Sequence, residues 1–237
     1  MNIIITGASK GIGYSIAERY ARESERHTFV LSSRSSDSLN AAVSKLQSAF
    51  PGHTYHSMAC DVSQESQVKA LAGFCSEKIG AADILINNAG FGIFKSVVTL
   101  SVDEFRSVLD TNLRGVFLVT RELLAPMREK KSGTIVTIAS LAAKNGFATG
   151  AAYNAAKFAV RGLMQCLFLE VRSDNIRCVT ICPGSVDTNF YDTIGHLNDT
   201  SKMLSPNEVA ETVWLATHLP SSATISELDI RPTNPKG

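Results

Sequence analysis

Ile3-Ile4-Ile5-Thr6 is followed at once by Gly7-Ala8-Ser9-Lys10-Gly11-Ile12-Gly13, and then by Ile16, Ala17, Tyr20 and Ala21 at helical spacing. A β-branched run, a glycine turn and an amphipathic helix in that order constrain the fold more than any other stretch. Glycines at 7, 11 and 13 let the backbone turn tightly and approach a ligand closely. The helix start adds unpaired N–H groups and a positive dipole end, where a pyrophosphate would sit. The spacing T-G-x-x-x-G-x-G departs from G-x-G-x-x-G, and no G-K-[ST] closes it as in a triphosphate-binding loop. A plain glycine turn is the alternative for this motif taken alone.

The alternation of strand and helix continues along the chain. Residues 28–32 read as a second buried strand ending at Ser33 and Arg34. An acidic residue often holds the ribose hydroxyls at that position in NAD-binding folds, and here it is missing. Arg34, with Lys10 in the glycine turn, would instead pair with a 2′-phosphate, which points to NADP(H). A solvated loop arginine is the alternative. Residues 37–49 are predicted helical and are stopped by Pro51-Gly52. A third strand over 53–60 ends in Asp61-Val62, where an adenine could sit, and Ser63 is expected to cap the next helix. A fourth strand over 83–86 closes in Asn87-Asn88-Ala89-Gly90, read chiefly as a structural turn.

Ser101 and Glu104 form an S-x-x-E cap, and one long helix is expected over 101–130 with Phe105, Val108, Leu109, Leu113, Val116, Phe117 and Leu124 on its apolar face. Asn112 interrupts that face, so it either binds backbone or holds water near a site. A fifth strand over 134–139 leads to Ser140, and a glycine-bounded loop over 145–150 precedes another helix. A sixth strand over 175–181 is stopped by Pro183-Gly184 before Ser185-Val186-Asp187-Thr188. Residues 189–205 suggest a mobile lid or a short helical hairpin. Ser205 and Pro206 start a last helix over 206–218, and 224–230 supply a seventh strand. This order predicts one α/β domain over 1–237, a doubly wound (Rossmann) parallel sheet of about seven strands with helices on both faces. Ligands then bind outside the carboxyl ends of the strands, so the turn at 7–13, Arg34, Asp61, Asn87, Ser140 and Pro183 should share one rim.

Tyr153 and Lys157 stand four residues apart in a helix-forming segment, hence on one face. A lysine cation beside a phenol favours the phenolate and makes the tyrosine a tuned proton donor. Ser140, at a strand end, could present its hydroxyl to the same place. Taken locally, Tyr and Lys at this spacing more often form a solvated face.

A formal net charge of +1 gives no global field for nucleic acid or anionic membrane. Five cysteines, without C-x-x-C spacing, read as reduced buried thiols, and five scattered histidines lack metal or triad spacing. No metal site is expected. The apolar runs are too short to span a membrane, and a cytoplasmic enzyme fits best.

In order along nearly the whole chain stand Thr6-Gly7-x3-Gly11-x-Gly13, Asp61, Asn87-Asn88-Ala89-Gly90, Asn112, Ser140, Tyr153-x3-Lys157 and Pro183-Gly184. With these elements the chain resembles the short-chain dehydrogenase/reductase family. The resemblance implies hydride transfer between NADP(H) and a ketone, aldehyde or alcohol. Tyr153 would move a proton to or from the substrate oxygen, Ser140 would hydrogen-bond that oxygen, Lys157 would hold the nicotinamide ribose and lower the Tyr153 pKa, and Asn112 would support a water leading to Lys157. Gly7, Ser9, Lys10, Gly11, Ile12, Gly13, Ser33, Arg34, Asp61, Val62, Asn88, Ala89, Gly90, Tyr153, Lys157, Pro183 and Gly184 would line the cofactor, with Val186 and Thr188 at its nicotinamide end. The tail Ser226-Glu227-Leu228-Asp229-Ile230-Arg231-Pro232 lacks the Gly-Gly ending typical of 3-oxoacyl-carrier-protein reductases. It looks more like carbonyl reductases similar to sepiapterin reductase, or hydroxy-amino-acid dehydrogenases. A 3-oxoacyl-carrier-protein or hydroxy-amino-acid substrate is one alternative, and a non-catalytic dinucleotide-sensing regulator another. The family also implies a homodimer or homotetramer through the helices over 101–130 and 150–172.

Overall fold

The computed structural model describes residues 1–188, 190 and 200–233. Seven parallel strands form one sheet in the order β3-β2-β1-β4-β5-β6-β7. They are β1 (Asn2–Thr6), β2 (Thr28–Ser33), β3 (Thr54–Ala59), β4 (Ile84–Asn87), β5 (Gly133–Ile138), β6 (Ile176–Pro183) and β7 (Glu227–Ile230). The connecting helices are α1 (Gly11–Ala21), α2 (Ser36–Ala49), α3 (Glu65–Ile79), α4 (Val102–Leu109), α5 (Gly115–Lys130), α6 (Ala151–Val171) and α7 (Pro206–Thr217).

The β-branched runs are explained by burial on both sheet faces. In β1, Ile3 and Ile5 join one core with Tyr20 and Val213, whereas Ile4 joins the other with Leu71 and Met164. The same division recurs at Phe29 and Leu31 against Val30, and at Ile84 and Ile86 against Leu85. Because all strands run parallel, with Thr6 beside Ser32, Asn87 beside Thr137 and Ile138 beside Ile181, their carboxyl ends share one rim.

Four local expectations need correction. The stretch 101–130 is not one α-helix: α4 passes into a π-helical turn, Asp110–Arg114, before α5 begins. The cause is Asn112, whose side chain takes the Val108 carbonyl (Nδ2 to O, 2.9 Å) that a regular helix offers to a backbone N–H. Phe105 and Phe117, assigned to the apolar face, are exposed. Ser63 does not cap α3. Its backbone N–H and hydroxyl both donate to Asp61 Oδ1, at 3.0 and 2.8 Å, and the helix starts after Gln64 without a side-chain cap. Cys166 lies on the outer face of α6 and is exposed, while the other four cysteines are buried. The capping box at Ser101/Glu104 and the Ser205 cap form as expected, with Pro206 at the start of α7, and Glu208 completes a second capping box there.

The last strand is shorter than expected, with pairing only from Thr180↔Glu227 to Pro183↔Ile230. Of the expected lid over 189–205, residues 189 and 191–199 lie outside the described residues. Its far end is tied down: Leu204 N donates to Ser185 O (2.9 Å) and Asp187 N to Leu204 O (2.8 Å). Among the described residues no helix is long and apolar enough to cross a membrane.

Candidate active site

The glycine turn lies between the ends of β1 and β4. Gly7 and Gly11 have φ of +66° and +57°, a region in which a side chain is strained. Gly13 is needed for a different reason. A Cβ there would stand 2.5 Å from Asn88 Nδ2 and closer still to the Gly7 carbonyl oxygen, so only glycine lets α1 start against the turn. Thr6 Oγ1 accepts from Asn88 N (3.1 Å) and Ala89 N (3.2 Å), while Asn88 Nδ2 donates to the carbonyls of Thr6 (3.1 Å) and Gly7 (3.0 Å). Asn88 therefore holds the turn by its side chain.

No side chain caps α1, so its first N–H groups are available to an anion. Lys10 and Arg34 are both exposed, and neither has a carboxylate partner among the described residues. Arg34 reaches over the Phe91 ring, at 5.7 Å from its centroid. Ser33 is buried and donates to Ser35 O at 3.1 Å. Asp61 is fixed by Ser63, and the Val62 side chain packs into the core against Gly115, leaving the Val62 backbone as the part nearest the rim. A Cβ on Gly11 would meet Thr188 Cγ2 at 3.3 Å, so the segment after β6 crosses the glycine turn. Val186 is buried beneath it, and Gly184 N donates to Ile230 O at 2.8 Å. Ser9 and Ile12 are half-buried within the turn.

The second half of the site gathers around α6. Lys157 is 6% exposed, its Nζ donates to the Ile138 carbonyl at 2.9 Å, and it lies 5.6 Å from the Tyr153 ring centroid. Burial pulls its pKa down to about 8. The pair is thus no solvated face. Ser140, directly beyond β5, accepts from Ala142 N at 3.1 Å and faces the Pro183 carbonyl at 3.5 Å. Asn112 also donates to Phe91 O (2.8 Å), and its buried Oδ1 has no partner in the structure. That oxygen points toward Gly90, where a Cβ would stand 2.6 Å from it and 3.8 Å from Lys157 Nζ.

Sequence reasoning missed Asn154 and a set of phenylalanines. Asn154 is buried and donates to the carbonyls of Ala142 and Asn145, both at 2.8 Å, tying the segment after Ser140 to α6. Phe94 and Phe190 stand against the Tyr153 ring, and Phe147 stands edge-on to Phe94. These residues lie in loops with no periodic signal, and only their position beside Tyr153 reveals them.

Residues 1–198 match the family described as short chain dehydrogenase. The chain is 34% identical to the sepiapterin reductase of Chlorobaculum tepidum, over 98% of this chain and 96% of that protein. Its fold is similar to that of an alcohol dehydrogenase from the archaeon Thermococcus sibiricus complexed with 5-hydroxy-NADP, with a TM-score of 0.90 and 30% identity over 98% of this chain and 96% of that one. It is also similar to a variant actinorhodin polyketide ketoreductase with NADPH, with a TM-score of 0.88 and 29% identity over 98% and 95% of the two chains. A dinucleotide-type glycine turn, a parallel sheet with its site on one rim, and these matches lead to one statement: the chain belongs to the short chain dehydrogenase family of oxidoreductases.

Proposed function

We propose that this chain is a cytoplasmic NADP(H)-dependent reductase of ketone or aldehyde carbonyls, able to run in reverse on the alcohol, built as one dinucleotide-binding domain. The buried Lys157 beside the Tyr153 ring, bonded to the strand end that leads to Ser140 and near the unpartnered Asn112 Oδ1, is the observation that carries this reading.

The residues fit a dinucleotide. The uncapped α1 start and the glycine turn would hold the pyrophosphate, Lys10 and Arg34 a 2′-phosphate, and Asp61, Val62, Ala89 and Gly90 the adenine side. Val186, Thr188, Tyr153 and Lys157 would hold the nicotinamide half. The two NADP-type complexes among the structural relatives support the choice of cofactor. When bound, the dinucleotide supplies or accepts the hydride.

The chain's own residues handle the proton. Tyr153 Oη gives its proton to the substrate oxygen as charge develops there, and takes it back in the alcohol direction. Ser140 accepts from Ala142 N, and its hydroxyl proton, turned to the Pro183 carbonyl at a long 3.5 Å, would swing to the same oxygen. Lys157, held at Ile138 and below the phenol, lowers the cost of the phenolate. The Asn112 Oδ1 provides an acceptor for a water on the Lys157 side.

A homodimer or homotetramer is supported by apolar side chains left exposed on helices of one half: Phe105 on α4, Phe117 on α5, and Phe158 and Leu169 on α6. The decisive test is NADPH oxidation with a carbonyl panel by wild type and Tyr153→Phe. The reading expects turnover to fall by about 10²-fold or more in the variant with NADPH still bound. Full turnover in Tyr153→Phe refutes it.

A further inference from the structure

β7 reads Glu227-Leu228-Asp229-Ile230, and its alternation divides these side chains between two faces. Leu228 and Ile230 pack against the core that holds Ile181 and Val213. Glu227 and Asp229 project to the other face, where they meet two cations from distant parts of the chain. Lys144 Nζ donates to Glu227 Oε1 and to Asp229 Oδ1, each at 2.5 Å. Arg161 Nε donates to Glu227 Oε2 at 2.6 Å. One carboxylate therefore joins Lys144 to Arg161.

Each cation belongs to an element of the candidate active site. Lys144 ends the short 3-10 turn Leu141–Ala143 that Ser140 starts. Arg161 follows Tyr153 and Lys157 at intervals of four, on the same side of α6. Asn154 ties Ala142 and Asn145 to the start of α6, but two bonds from a single amide leave that segment able to pivot about it. Glu227 adds an anchor about two turns further along the helix. Pairing of Glu227 with Thr180 fixes that anchor to the sheet. The Arg161 hydrogen bond holds the Glu227 carboxyl below its ordinary range, so the bridge is charged throughout neutral pH. Its side chains are 22% to 35% exposed, and ion pairs this open to water add little to stability. What the bridge sets is distance.

We propose that Glu227 is a positioning residue for the reaction: by bridging Lys144 and Arg161, it holds the segment that follows Ser140 in place against the helix that carries Tyr153. This inference rests on the carbonyl-reductase reading above.

The test uses the full chain with NADPH and the carbonyl that wild type reduces fastest in a panel of ketones and aldehydes. Expressing kcat per NADPH-binding site keeps unfolded protein out of the comparison. Glu227→Ala should lower kcat by about 5- to 20-fold while the NADPH Kd stays within about twofold. Lys144→Met and Arg161→Met should each lower kcat by about threefold or more in wild type, and change nothing further in the Glu227→Ala background. Lys144→Arg keeps a cation for both carboxylates and should stay within about twofold of wild type. Arg231→Met removes only the outer partner of Asp229 and should leave kcat as it is. An unchanged kcat per site in Glu227→Ala overturns the positioning role and leaves the reductase reading standing. An equal loss in Arg231→Met does the same, as does a loss in Lys144→Met that adds in full to that of Glu227→Ala. Absence of turnover across an extended panel of aldehydes, ketones and alcohols overturns both.

Discussion

Lys157 Nζ donates to the Ile138 carbonyl at 2.9 Å, so the buried ammonium joins the middle of α6 to the end of β5. This bond ties the helix that carries Tyr153, one turn before Lys157, to the strand end two residues before Ser140.

Burial holds the Lys157 pKa near 8, below its value in an unfolded chain. At pH below about 8 both states are charged and the full burial cost is present. As pH rises from 8 toward about 10.4, the unfolded state binds more protons, and stability increases. Relative to Lys157→Met, the wild type should gain about 2 kcal/mol between pH 7.5 and 9.5. Urea unfolding at the two pH values measures it, and a constant difference contradicts it.

His27 acts in the same sense at lower pH. It is fully buried, and desolvation pulls its pKa below 6.5 despite the hydrogen bond to Glu23. The unfolded chain takes up the proton first, so this contribution is complete above pH 6.5 and declines as pH falls. His27→Gln should therefore flatten the loss of stability between pH 7 and pH 5.5, read as urea midpoints. A slope identical to wild type would show that other groups carry the acid sensitivity.

Arg34 and Lys10 test the cofactor preference. Removing one charged partner of a phosphate should weaken NADPH binding by about 10- to 100-fold in Arg34→Ala, with NADH binding unchanged. Titration of intrinsic or nucleotide fluorescence distinguishes the two. Equal loss for both nucleotides would assign Arg34 to the turn's structure instead.

Two glycines should respond with opposite signs. Gly13→Ala forces a methyl against the Gly7 carbonyl and Asn88 and should cost about 1–3 kcal/mol together with dinucleotide binding. Gly162→Ala, within α6 and with nothing within 4 Å of the added Cβ, should stabilise by about 0.5–1 kcal/mol. Thermal melts of both variants against wild type check the pair.

Asn154→Ala removes both bonds that hold Ala142 and Asn145 to α6. A stability loss of about 1–3 kcal/mol is expected, since the buried Ala142 carbonyl and the partly buried Asn145 carbonyl lose their donor. Because Asn154 positions Ser140 without touching the reacting atoms, kcat should fall while NADPH affinity stays within about twofold. Pre-steady-state binding and turnover separate these effects.

The phenylalanine loops and the π turn mark where local reading stopped. Asn112 was legible as an anomaly in an apolar face, yet its remedy needed the Phe91 carbonyl, which is 21 residues away. Ser63 looked like a cap because cap preference is local, and Asp61 captured it first. Tyr153 and Lys157 looked like a solvated face, since nothing within α6 reveals that β5 covers the lysine.

By itself the amino-acid order determined the seven strands, the sites of the glycine turn and the placing of the motif residues on one rim. Those features rest on signals carried within a few residues: period-two and period-3.6 burial, β-branched runs, and backbone conformations that only glycine adopts without strain. The tertiary structure alone decided the burial of Lys157, the unpartnered Asn112 oxygen, the crossing of Thr188 over Gly11 and the meeting of Phe94 and Phe190 at Tyr153. Each depends on groups far apart along the chain, whose desolvation and contacts exist only once the sheet has brought its loops together.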